Sequence, residues 1–87
     1  MSATALRSAL ITILHSSGDE PCGAVSVIAR SFGSSGTYVV GVPIRFRQSL
    51  RDYLAQYPGM SFRTEGDFLT ISYLQAAALV RLVQSAG

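Results

Sequence analysis

The sequence predicts an α+β fold of the winged helix-turn-helix type, with an appended C-terminal helix. Three patterns carry this prediction. Apolar residues recur at the helical period after Pro43, a tight turn at Gly66-Asp67 joins two alternating stretches, and a last helical pattern covers residues 74–86. A helix that leads directly into a hairpin near the end of a small domain is typical of the helix and wing of this fold. We therefore expect the order helix, short strand, helix, helix, hairpin, helix.

The composition indicates one small folded domain. The chain has 87 residues, of which 48% are hydrophobic and 14% are charged, so a thin core can form and disorder is not expected. We expect residues 1–87 to be a single domain cut from a longer protein. Seven arginines and no lysine give a net charge of +2. Arginine suits bidentate contacts with phosphates or bases, although a compositional bias of the genome would produce the same preference.

The chemistry-bearing residues are too few for an enzyme or a metal site. His15 and Cys22 are the single residues of their kinds, so no metal cluster, Cys/His pair or internal disulfide can be assembled within the chain. We therefore expect no catalytic residue, metal, cofactor or small-molecule substrate. The lone cysteine and the lack of an 18-residue apolar run predict an intracellular protein that does not cross a membrane. A mitochondrial transit peptide is a less favoured interpretation of the acid-free N-terminus with its Arg7 and serines.

The first element is a helix capped by Ser2 or Thr4 and extending to about His15. Gly18 is expected to end it. Its apolar stripe consists of Leu6, Ala9, Leu10, Ile13 and Leu14.

The segment after it is ambiguous. A turn over Asp19–Gly23 is expected to carry the short strand, and Cys22–Phe32 fits both a helix and a strand. Its length and the following Gly33 favour a helix. We expect Gly33–Gly41 to be a loop in which Thr37–Val40 can pair briefly as a strand.

The central helix begins with Pro43 at its first helical position, where the missing N–H costs nothing. Pro58-Gly59 ends it. The expected buried stripe is Phe46, Leu50, Tyr53, Leu54 and Tyr57.

The hairpin joins Met60–Glu65 to Phe68–Tyr73 through a two-residue II′ turn with glycine first. That turn sets the register. The predicted pairs are Phe62 with Ile71, Thr64 with Leu69, Met60 with Tyr73, Arg63 with Thr70, Ser61 with Ser72, and Glu65 with Phe68. One face of this ribbon is then mostly apolar and the other mostly polar.

Two candidate surfaces follow. The first is a nucleic-acid surface made of Arg47, Gln48 and Arg51 on the exposed side of the central helix and Arg63 on the wing; the alternative is an ordinary solvated face. The second is the wide apolar arc of the last helix, Leu74–Ala86, which either docks a partner or is covered by its own domain. The partner-binding residues predicted on that arc are Ala76, Leu79, Val80, Leu82 and Val83. Tyr38 is expected to cover the core rather than stack on a base.

The residues of the central stretch resemble the LOTUS domain, also called OST-HTH. The matching segments are SLRDYLAQYPG followed by SFRTEGDFLTI, and, upstream, LITILHSSGDEP with a later SFG. The resemblance covers about residues 5–74 and implies a winged-helix module of RNA-regulatory proteins in cytoplasmic ribonucleoprotein granules. It further implies binding of RNA, notably G-rich RNA, or docking onto a DEAD-box helicase through an extra C-terminal helix.

We therefore expect a non-catalytic RNA-binding module. The alternative is a protein-docking module that binds a helicase or a second copy of itself through the last helix, and a DNA-binding winged helix is less favoured. Strong salt dependence of binding would indicate the first function, and self-association or co-purification with a partner the second.

Overall fold

Four antiparallel strands divide this protein into a side covered by helices and a side that faces solvent. The computed structural model describes residues 2–18, 23–32 and 35–86. The helices are α1 (Ala3–Ser16), α2 (Ile44–Leu54) and α3 (Tyr73–Ala86), and the strands are β1 (Ser26–Phe32), β2 (Ser35–Gly41), β3 (Arg63–Glu65) and β4 (Phe68–Ser72). The α+β class is thus confirmed for the described residues.

The sheet is built from two hairpins that meet at its centre. The strand order is β1-β2-β4-β3, with every neighbouring pair antiparallel. In the central pair, Tyr38 lies opposite Ile71 and Val40 lies opposite Leu69. All four of these side chains are buried in the core. Since side chains alternate along a strand, the residues between them face the other way.

The core lies between the sheet and the helices. Helix α1 contacts α2, α3 and β1, while α3 also contacts β2 and β4. The largest fully buried side chains are Leu6, Leu10, Leu14, Val40, Leu50, Ile71 and Leu79. The first and last helices of the chain therefore pack together over the sheet and cover the core.

The first helix follows its prediction closely. The Ser2 hydroxyl accepts a hydrogen bond from the N–H of Ala5 at 3.2 Å, which caps the helix. Gly18 has a φ of +88°, a conformation that few residues other than glycine adopt, and ends it. The predicted stripe, Leu6, Ala9, Leu10, Ile13 and Leu14, is entirely buried.

The central helix is confirmed, with two corrections to its ends. Pro43 is the N-cap, with φ −53° and ψ +143°, and not the first helical residue. The helix ends at Leu54, ahead of Tyr57, and the chain continues through turns until Gly59 at φ +87°. Within it, the predicted residues Phe46, Leu50 and Leu54 are buried, whereas Tyr53 and Tyr57 are only half-buried.

The predicted hairpin register is confirmed over the three pairs that form. Arg63 lies opposite Thr70, Thr64 opposite Leu69 and Glu65 opposite Phe68. Gly66 has a φ of +61°, and no non-glycine residue among those described has a positive φ, as a II′ turn requires.

The hairpin is shorter than predicted. The three expected pairs beyond Arg63 are not part of the ladder, because β3 begins only at that residue. Its partner strand is also cut short: α3 starts at Tyr73, and the Ser72 hydroxyl accepts a hydrogen bond from the N–H of Gln75 at 3.2 Å. Ser72 thus ends the strand and caps the helix.

The prediction of a helix over Cys22–Phe32 is wrong for the described part of that segment. Residues 26–32 form β1, which pairs with β2 through seven consecutive residues. The β-branched Val27 and Ile28 suit a strand, and the ladder supplies backbone partners that an isolated segment lacks. The prediction of a brief strand at Thr37–Val40 is confirmed, within the longer β2.

This correction removes the second helix of the expected helix-turn-helix. A winged helix is therefore not confirmed. The short strand expected within Asp19–Gly23 falls mostly on residues 19–22, which lie outside the described part of the chain. None of the helices that the structure describes is long and apolar enough to cross a lipid bilayer.

Candidate nucleic-acid interface

The predicted helix residue Arg47 holds two parts of the fold together. Its Nε donates a hydrogen bond to the carbonyl oxygen of Val42 at 3.3 Å, and its Nη2 donates to the carbonyl oxygen of Asp67 in the hairpin turn. The side chain therefore ties the start of α2 to the β3–β4 turn. Binding a phosphate would compete with these contacts, so Arg47 is better suited to positioning the hairpin.

Gln48 and Arg51 are exposed on α2, as predicted. The Gln48 amide donates a hydrogen bond to the Asp52 carboxylate at 2.8 Å. Arg51 borders a shallow depression of about 210 Å³ whose other lining residues include Leu54 and Met60. The carboxylate of Asp52, held beside Gln48, makes the Gln48 side of α2 less attractive to an anion.

Arg63 lies on a different surface, the solvent-facing side of the sheet. Three rows of side chains cross the strands there, because residues opposite one another share a face. In order, the rows are Arg30, Thr37 and Ser72; then Ile28, Val39, Thr70 and Arg63; then Ser26, Gly41, Phe68 and Glu65. We call this surface the open face.

A cleft of about 700 Å³ occupies the polar part of the open face. Arg30 and Arg63 border it from the two edge strands, and both are exposed. Its remaining lining residues are Thr37, Thr64, Glu65, Thr70, Ile71, Ser72 and Gln75. Hydroxyl groups therefore form much of the floor between two guanidinium groups.

The two arginines lie on opposite edges of the sheet and in different rows, so they do not face one another directly. Three strand spacings of about 4.8 Å separate β1 from β3, so their Cα atoms lie about 14 Å apart across the sheet. Glu65, also in the lining, carries the negative charge nearest to Arg63 along β3. This arrangement suits an extended anion with several charges better than a single phosphate.

The other part of the open face is apolar. Ile28 and Phe68 expose 62% and 51% of their surfaces, and half-buried Val39 lies between their strands. Phe68 follows the turn directly, and its ring passes close to Gly41 on β2. An exposed aromatic ring next to a cationic, hydroxyl-lined cleft can stack on a planar group.

Sequence reasoning missed Arg30, Thr37, Thr70 and Ser72 as candidate site residues. The alternation of residues 26–32 was the available signal, since a strand there places Ile28 and Arg30 on one face. The helix prediction for that segment concealed it. Arg63 was found because the hairpin turn alone sets its register.

The tyrosines near α2 and α3 do not contribute to the open face. Tyr38 is buried, and its ring centroid lies 4.6 Å from that of Tyr73, which confirms that it covers the core.

The ring centroids of Tyr53 and Tyr57 are 5.4 Å apart. Burial raises the pKa of the Tyr53 phenol, and the hydrogen bond and charge of Tyr57 raise it further. Tyr53 therefore stays neutral at physiological pH.

The predicted partner-binding residues of α3 lie largely within the domain itself. Ala76, Leu79 and Val80 are buried in the core, while Leu82 and Val83 are half-buried. This burial matches the alternative in which the domain covers its own helix. At the other end of α3, Leu74 is exposed.

Comparison with protein-family models, curated proteins and solved structures finds no match to this chain. The LOTUS resemblance thus stays a prediction.

Proposed function

We propose that this protein is a non-catalytic module that binds single-stranded RNA across the open face. The observation that carries the proposal is the cleft with Arg30 at one edge strand and Arg63 at the other, above a floor of hydroxyl groups. A strand of nucleic acid is an extended polyanion and matches the separation of the two guanidinium groups. Single strands bind such surfaces through backbone charge together with base stacking.

The arginines supply the contacts to the backbone. Guanidinium groups donate in a planar fork that fits two oxygens of a phosphate. With one arginine at each edge, the two contact different phosphates, and the intervening nucleotides lie over β2 and β4. Two contacts predict a modest slope of log K against log salt of about −1.4 for a single strand.

The bases find two kinds of partner on the same face. Phe68, half exposed, offers a ring on which any base can stack, whereas Ile28 and Val39 offer apolar contact. The Thr37 hydroxyl can exchange hydrogen bonds with base edges or with the ribose 2′-hydroxyl. The Ser72 hydroxyl, which accepts from the Gln75 N–H, can still donate, and the amide oxygen of Gln75, whose amide nitrogen donates to the Gly59 carbonyl, can accept. A contact with the 2′-hydroxyl favours RNA over DNA, because DNA lacks this group.

In this proposal the hairpin keeps the role that the winged-helix and LOTUS interpretation gives it, whereas the role of helix α2 changes. The hairpin with Arg63 stays in the interface, as a wing would. Helix α2 becomes its support, because Arg47 is bonded to the hairpin turn. Docking of a helicase through α3 receives less support, since three of its five predicted residues are buried.

The test is titration of labelled oligonucleotides, measured by fluorescence anisotropy at several salt concentrations. The probes are unstructured RNA, G-rich RNA and DNA of the same length. We expect the double variant Arg30→Ala/Arg63→Ala to lose most of the binding and the salt dependence. Phe68→Ala should weaken binding by about 5- to 150-fold, the range for one stacked base.

Arg81→Ala is the matched control, because it removes one exposed arginine from α3, on the helix-covered side of the sheet. It should bind as the unaltered protein does. Arg51→Ala tests the surface on α2 in the same assay. Equal binding by the double variant and the unaltered protein would reject the open face, and no binding to any probe at low salt would reject the function.

A further inference from the structure

Strand β1 lies at an edge of the sheet, and side chains in its middle are exposed on both faces. It is the outermost strand next to β2, and no described strand lies beyond it. Ile28 and Arg30 are exposed on the open face, and Ala29 is exposed on the face that the helices cover elsewhere. The helix layer therefore does not extend over the middle of this strand. Here the backbone N–H and C=O groups on the edge away from β2 lie between side chains that are exposed on both faces of the sheet.

The sequence of β1 also lacks the usual protection of an edge. Proteins discourage pairing at an edge with proline, lysine, bulges or very short strands. Strand β1 has seven residues, no proline or lysine, a single charge at Arg30, and an unbroken seven-residue register with β2. The opposite edge, β3, has only three residues, including Arg63 and Glu65. The two edges of the same sheet thus differ sharply in their capacity to pair.

We propose that β1 pairs antiparallel with β1 of a second copy of this chain, in a register centred on Ile28. In this register Ile28 lies opposite Ile28 of the second copy, so two exposed side chains cover each other. Arg30 lies opposite Ser26, and the two arginines are kept about 14 Å apart by the four positions between them. A register centred on Arg30 would place the two positive charges directly opposite each other, which destabilises pairing.

The symmetry of this pairing determines where the open faces point. Antiparallel pairing of identical strands places the two-fold axis perpendicular to the sheet. Both open faces then lie on the same side of one continuous sheet of eight strands, and both helix layers lie on the other. On the side of the helix layers, exposed Ala29 lies opposite half-buried Val27 of the second copy.

The expected dimer is weak and depends on concentration. In the register centred on Ile28, residues 26–30 of the two β1 strands pair, which is about 17 Å of strand, so the interface belongs to the class of weak complexes that bury less than about 1,200 Å² in total. The pairing needs no RNA, so it can be measured on the protein alone. If no dimer forms, the proposed RNA function is unaffected.

Sedimentation equilibrium over a wide range of protein concentration tests the proposal. The unaltered chain should rise from its 9.3 kDa monomer mass toward twice that value. Ile28→Lys, which places two ammonium groups opposite each other at the axis, should stay monomeric. Ile44→Lys is the matched control on α2, with 77% of the isoleucine surface exposed, and should dimerise as the unaltered chain does.

A second pair of variants tests the register. Ser26→Glu would face Arg30 of the second copy twice per dimer and should tighten the dimer by about 2- to 30-fold, an effect that salt weakens. Ser26→Arg should weaken it instead. A chain that stays monomeric at all concentrations, or an Ile28→Lys variant that dimerises normally, overturns the proposal. Equal dimerisation by Ser26→Glu and Ser26→Arg overturns the register.

Discussion

The two sides of the sheet use alternate residues of the same strands for different purposes. On β2, Val40 is fully buried under the helices, whereas its neighbour Val39 is half-buried on the open face. On β4, Ile71 is buried in the core, and Phe68 at the start of the strand is half exposed. One side holds the fold together by excluding water. The other displays arginine, hydroxyl and aromatic groups that the fold does not need for its core.

This contrast means that stability and binding should be separable by single substitutions. Removal of side chains from the covered side should lower the free energy of unfolding. Removal from the open face should change binding and lower that free energy clearly less. Three substitutions, from the largest expected effect to the smallest, test whether the two sides are as independent as their burial indicates.

The largest effect is expected from Ile71→Ala. It removes a side chain that is 2% exposed and leaves a cavity under the helices, which costs about 2–5 kcal/mol. Phe68→Ala on the same strand should cost clearly less, because half of the ring is already in water. Urea denaturation at equal protein concentration measures both. Similar denaturation midpoints would contradict the assignment of the two sides.

A smaller effect with a closer control comes from the two valines of β2. Val40→Ala should cost about 2–3 kcal/mol, from two buried methyl groups and the space they leave. Val39→Ala makes the same chemical change one residue away and should cost about 1 kcal/mol or less, since the side chain is half-buried. Thermal unfolding followed by circular dichroism compares them. An equal loss would show that something covers the open face in solution.

The third substitution tests packing where β2 meets α3. A Cβ atom on Gly36 would overlap the ring of Tyr73, which is itself packed against Tyr38. Gly36→Ala should therefore destabilise the protein by about 1–3 kcal/mol, the range for overpacking. Gly41→Ala is a useful comparison, because its Cβ would point to the open face and meet the Ser26 hydroxyl and the Phe68 ring. It should cost less, since an exposed hydroxyl can rotate away, and a reversed order would contradict this account.

Local pattern was sufficient wherever an element could be judged from its own residues. The apolar stripe of α1 and the residues Phe46, Leu50 and Leu54 of α2 are buried as their spacing predicts. The β3–β4 pairs follow from Gly66, whose positive φ sets the register of both strands. In each case the signal and its consequence lie within about a dozen residues.

The segment of β1 shows where local pattern fails. Its apolar residues satisfy a helix and a strand equally, and the segment has no turn residue that sets a register by itself. The segment forms a strand because it pairs with β2, which in turn pairs with the distant β4. Arg30 and Thr37 could not be recognised as site residues before that pairing was known, because only the sheet brings them beside Arg63.

The sequence by itself therefore determined the α+β class, both terminal helices, the buried stripe of α2 and the hairpin that carries Arg63. The tertiary structure decided that residues 26–32 and 35–41 pair as antiparallel strands, that Ala76, Leu79 and Val80 of α3 are buried by its own domain, and that the arginines of two edge strands border one cleft. The physical reason is the range of the interactions. Helical stripes and tight turns depend on near neighbours in the chain, whereas the centre of the sheet pairs residues that lie 29 to 35 positions apart, from Val40 with Leu69 to Thr37 with Ser72.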